Sequence, residues 1–87
     1  MTKIESIWVN GKELRTNALY KFFLKGRRRG IIGVPVGITY VTDYSLWHGC
    51  EAVRVAVWYR RRGWHRATFD KIIPIPAIRA IEFVEEL

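Results

Sequence analysis

Apolar and polar positions alternate with a period of two over much of this chain, and the phase of that alternation between turn signals predicts its elements. Ile7, Trp8 and Val9 precede Asn10-Gly11 and Lys12-Glu13-Leu14 follow, so the chain opens with a short hairpin on a two-residue type I′ turn. Thr16 or Asn17 can cap the run Ala18 to Lys25, which Gly26 ends, and this spacing predicts one short helix. Arg27-Arg28-Arg29-Gly30 reads as a loop. Gly30, Gly33, Pro35 and Gly37 then predict a bend or bulge in a strand that continues to Thr42, followed by a connection over Tyr44 to Gly49.

The alternation over Ala52 to Phe69 is regular enough to fix a hairpin register. A three-residue loop Arg61-Arg62-Gly63, with Gly63 in the left-handed region, pairs Arg60 with Trp64, Tyr59 with His65, Trp58 with Arg66 and Val57 with Ala67. It predicts a core face of Val53, Val55, Val57, Tyr59, Ala67 and Phe69, and an outer face of Arg54, Trp58, Arg60, Trp64 and Arg66. A four-residue loop would set Val57 against Arg66 and mix the two faces. Ile72 to Pro76 is extended, because residues before proline are pushed out of the α region. Ala77 to Val84 fits either a strand or a helix; Glu82, Glu85 and Glu86 would oppose a helix dipole at that end, which favours the strand.

Eighty-seven residues support one domain, 1–87, and at 49% hydrophobic content the chain can bury a core. The elements sum to a mainly β, α+β domain: a curved antiparallel sheet of about five strands with one short helix. The specific alternative is an all-β SH3-like or OB-like small barrel. A core this small is marginal, and self-association into a homo-oligomer is one way to bury more apolar area. The longest uncharged run, Gly30 to Thr42, is too short and too rich in glycine to span a bilayer, and the first residues do not read as an export signal. Cys50 is the sole cysteine, so no intrachain disulfide forms and an intracellular location is the simplest expectation.

Fifteen Lys+Arg against eight Asp+Glu leave a net charge of +7, and the cations are not evenly spread. No acid occurs between Glu13 and Asp43, where Lys21, Lys25, Arg27, Arg28 and Arg29 cluster. None occurs between Glu51 and Asp70, where Arg54, Arg60, Arg61, Arg62 and Arg66 accompany Trp58 and Trp64. Arginines along a phosphate path, interleaved with flat aromatic surfaces, are what nucleic-acid contacts require. The sequence therefore points to a small basic DNA- or RNA-binding protein of low sequence specificity. Arg54, Arg60, Arg61, Arg62 and Arg66 would contact phosphates, Trp58 and Trp64 would stack, and Arg27, Arg28 and Arg29 would extend the track. Trp and Arg also dominate protein hot spots, so the alternative is an interaction module docking the same face on an acidic protein surface. Trp58 and Trp64 could instead form a second core face beneath the expected helix.

Nothing in the pattern argues for an enzyme or a cofactor. Asp43, Glu51 and Asp70 show no paired spacing, and the glycines at 30, 33 and 37 match no phosphate-binding fingerprint. His48, Cys50 and His65 are the soft ligands present, and their spacing fits no closed metal site. The Arg-Arg-Arg-Gly runs at 27–30 and 60–63 are too short to establish an internal repeat.

Overall fold

The computed structural model describes residues 5–42 and 49–87. They form strands β1 (Ser6–Val9), β2 (Lys12–Arg15), β3 (Ala18–Leu24), β4 (Ile31–Val41), β5 (Cys50–Arg60), β6 (Trp64–Pro74) and β7 (Ile78–Glu86), with a 3-10 turn over Ile75–Ala77. All pairings are antiparallel. β1 and β2 make a separate hairpin, and the other strands form one sheet in the order β6-β5-β4-β3-β7. β6 and β7 are not bonded to each other, so the sheet does not close into a barrel. The domain is therefore mostly β, and the all-β alternative fits better than the α+β expectation.

The first hairpin follows from its turn: Asn10 and Gly11 take φ of 52° and 76°, and Val9 pairs with Lys12. The helix expected over Ala18 to Lys25 is instead strand β3. This strand lies between β4 and β7 and is buried on both faces: Ala18, Tyr20 and Phe22 point into one apolar cluster and Leu19 into another. Burial on both sides erases the period of two and leaves an apolar run that a helix pattern also matches. β4 is one long strand with an irregularity between Pro35 and Gly37, where the glycine and proline density predicts a bend. The C-terminal segment is a strand, as its acidic end favours. The connection expected over Tyr44 to His48 lies outside the described residues.

The second hairpin has the expected register at its tip, with Arg60 opposite Trp64, Tyr59 opposite His65 and Trp58 opposite Arg66. Beyond that the register shifts. Ala56 faces Asp70, so two steps along β5 are matched by four along β6, and the expected Val57–Ala67 pair does not form. The expected core face is corrected accordingly. Val53 and Val55 are fully buried, Val57 and Ala67 are half-buried, and Tyr59 and Phe69 are 49% and 54% exposed. The additional β6 residues break the alternation of faces, and Phe69 among them stays out of the core.

One face of the sheet holds the main core, where Tyr20, Phe22, Val53, Val55, Ile73 and Ile78 pack against Val9 and Leu14 of the β1–β2 hairpin. Polar contacts fix that hairpin in place: the Arg15 N–H donates to Tyr20 Oη at 2.9 Å, and Lys12 Nζ donates to the Ile81 carbonyl at 2.7 Å. The opposite face carries a smaller cluster of Leu19, Val34 and Ala56, flanked by Ile32, Trp58, Trp64 and Val84. Phe22 is fully buried in the main core, so Phe22→Ala should cost about 3–5 kcal/mol. Phe69→Ala, on the bulge, should cost below about 1 kcal/mol. Urea unfolding of the two variants checks the corrected core, and equal losses would contradict it.

Candidate functional site

Strand direction, which the sequence leaves open, brings the two Arg-Arg-Arg-Gly runs together. β3 descends into the β3–β4 turn, β4 rises, β5 descends again, and the β5–β6 turn closes at the same end of the sheet as the first. The pairing of β4 with β5 runs as far as Gly33 opposite Val57 on that side. Arg27, Arg28 and Arg29 and Arg60, Arg61 and Arg62 therefore belong to turns that close at the same end of neighbouring strands. All six side chains are exposed, and none makes an ion pair among the described residues.

The second turn has a defined shape. Arg62 and Gly63 both have positive φ, 54° and 114°, and the Arg61 N–H donates to the Gly63 carbonyl at 2.8 Å. His65 Nε2 lies 2.8 Å from the Arg61 carbonyl oxygen, tying the loop to the start of β6. An arginine in the left-handed region costs backbone energy, of order 1 kcal/mol, so this loop is held by its surroundings rather than by local preference.

Cross-strand pairing groups Arg54, Trp58, Arg60, Trp64 and Arg66 on one face, as expected, but these residues are not equivalent. Asp70 lies on the same face and takes Arg54 Nε at 3.0 Å and Arg66 Nη2 at 3.9 Å. The carboxylate that closes the acid-free window in sequence thus folds back onto two of the window's own cations. With Ala67, Thr68 and Ile72 these three residues line a hollow of about 600 Å³ over the β6 bulge. The free positive charge moves to the hairpin tip and the neighbouring turn.

The tryptophans are half-buried rather than free. Trp58 and Trp64 both pack at the border of the smaller apolar cluster, and the Trp58 Nε1 is buried without a hydrogen-bond partner among the described residues. The Arg60 guanidinium lies over the Trp64 ring, 5.9 Å from its centre. No helix of the described residues covers this face, and Trp58 and Trp64 border the cluster from the sheet itself.

One further cationic group escapes the sequence reading. Arg79, at the start of β7, lies 5.2 Å from the centre of the Phe23 ring, as does Lys21 Nζ. The pairing of Phe23 with Ala80 brings β7 there, and no local signal in the C-terminal segment announces it. The acids concentrate away from this end: Glu85 and Glu86 pair with Leu19 and Ala18 at the start of β3, and Glu51 pairs with Tyr40 near the end of β4. Glu86 is bound there by Arg15 at 2.6 Å. Cys50 and His65 sit at opposite ends of the second hairpin, and His48 lies outside the described residues. No helix among the described residues is long and apolar enough to cross a membrane. No family model matches the chain, and neither a curated protein nor a solved structure matches it.

The Arg54–Asp70 pair is partly exposed and worth up to about 1 kcal/mol. Asp70→Asn should therefore leave the fold intact in urea unfolding, with a loss of that size, while freeing Arg54 and Arg66. A much larger loss would make Asp70 a structural centre instead.

Proposed function

We propose that this protein binds nucleic acid with low sequence specificity, through the cationic end of its sheet. The observation that carries the reading is that both arginine turns close at the same end of neighbouring strands, with six exposed guanidinium groups without ion-pair partners among the described residues. Arginine presents a planar fork of donors that matches phosphate oxygens, and a row of them exchanges condensed counterions for protein contacts. Arg60, Arg61 and Arg62 with Arg27, Arg28 and Arg29 form the centre of this surface. Arg54 and Arg66, shared with Asp70, contribute at its margin. The reading is of a binding protein rather than an enzyme. The strand order, with a 3-10 turn before the last strand, supports an opened SH3-like arrangement among the alternatives the sequence raises.

A second reading is favoured by the smaller apolar cluster. Trp58 and Trp64 beside Leu19, Val34 and Ala56 give the basic face an apolar centre, which an acidic protein partner could cover. Salt separates the two. Six phosphate contacts on a duplex predict a fall in affinity of about a thousandfold between about 50 and 200 mM salt, whereas a hot-spot contact keeps much of its affinity.

Fluorescence anisotropy with short labelled duplexes and single strands at those two salt concentrations tests the proposal. The wild-type protein should bind with a dissociation constant in the micromolar range or below at the lower salt. Arg61→Ala/Arg62→Ala should lower the salt slope by about 2, and Asp70→Asn should strengthen binding at low salt by about threefold to tenfold, as one added net charge would. An absence of binding at the lower salt overturns the reading.

A further inference from the structure

Stacking of bases needs a free ring face, and the aromatic rings around the basic end are already engaged. Arg60 lies over Trp64, Lys21 and Arg79 lie over Phe23, and Tyr59 stacks on His65 with centroids 5.6 Å apart and planes at 27°. Trp58 is half-buried against the apolar cluster. The more exposed rings lie away from the turns: Trp8 opposite Glu13, Tyr40 opposite Glu51, Phe83 edge-on to Tyr20, and Phe69 along β6 next to Asp70. Next to the turns, Trp64, Phe23 and Tyr59 each already carry a cation or an imidazole as partner. In the arrangement present, Trp64 and Phe23 hold cations in place, which lowers the entropy cost of presenting them to an anion.

The spacing of the turns points the same way. Both turns close at the same end of neighbouring strands, with only β4 and β5 between them, so a chain of consecutive phosphates has cations of both turns along one end of the sheet. Resting on the nucleic-acid reading above, we propose that the two Arg-Arg-Arg-Gly turns form a single site for a run of phosphates, with the backbone as the whole ligand and the bases left outside. The ligand chemistry is a closely spaced chain of phosphates, which a nucleic acid and inorganic polyphosphate both present. The rings serve as supports for cations, not as platforms for bases.

The test compares an ordinary labelled single strand, an abasic strand of the same length and charge, and the corresponding duplex, with inorganic polyphosphate as competitor. It uses the full chain, Arg27→Ala/Arg28→Ala/Arg29→Ala and Arg60→Ala/Arg61→Ala/Arg62→Ala; the substituted side chains are exposed, and urea unfolding confirms that each variant folds. The abasic strand should bind within about threefold of the ordinary strand, polyphosphate should displace both, and each triple variant should lower the single-strand salt slope by about 2. Abasic binding weaker by more than about tenfold, or tryptophan quenching by the ordinary strand alone, shows stacking. That result overturns the proposal and leaves the nucleic-acid reading standing. A triple variant that binds like the wild type shows that the turns do not act as one site, and also overturns it. Binding of polyphosphate with no binding of any oligonucleotide keeps the phosphate site but overturns the nucleic-acid reading. No binding of any probe at low salt overturns both.

Discussion

A link of three residues joins the two outermost strands of the main sheet, and the rest of the structure adapts to it. β6 and β7 are opposite edges of five strands, yet Ile75–Ala77 alone connects them. Laid flat, those edges would stand about 19 Å apart, whereas the chain from Pro74 to Ile78 reaches at most about 15 Å. The sheet must curl. Curling brings Leu24 and Ile31 near Ile73 and Ala77, lets the Lys25 N–H reach the Ala77 carbonyl at 2.9 Å, and turns one face inward as a trough. The N-terminal hairpin fills that trough with Val9 and Leu14, so a fold with one short connection acquires a core without closing into a barrel.

The same meander sorts the charge. Turns that follow alternate strands fall at one end of a sheet, so the two arginine runs, far apart in sequence, come to the same end of neighbouring strands. Glu85 and Glu86 of β7 fall at the other end because that strand runs antiparallel to β3. Asp70 refines the result by holding Arg54 and Arg66 on the sheet face. What remains is a compact cationic edge with its aromatic rings turned to the support of cations.

Local turn chemistry was the most legible part of the sequence. Asn10-Gly11 and Arg61-Arg62-Gly63 each fixed a hairpin, because a left-handed backbone leaves few residue choices. β3 was not legible. A strand buried on both sides has no polar face to mark its period, and Ala18-Leu19-Tyr20 followed by Phe22-Phe23-Leu24 reads equally as a helix. The misplacement of Tyr59 and Phe69 has a different origin: alternation predicts faces only while the register holds, and the β6 bulge changes phase midway. In the candidate site, the arginine runs were visible, but their adjacency depends on strand direction. The capture of Arg54 and Arg66 by Asp70, and the approach of Arg79 to Phe23, depend on pairings that no short window contains.

The irregular outer strands also bear on how copies of the protein behave when crowded. An open sheet ends in rows of unpaired amides that can recruit another strand, and such growth needs a long, even edge. β6 offers a bulge, Lys71 and a terminal proline, while β7 has shifts in its pairing with β3 and carries Glu82, Glu85 and Glu86. Neither edge makes a good template. At high local concentration, these blunted edges let neighbouring molecules lie side by side without zipping into a continuous sheet.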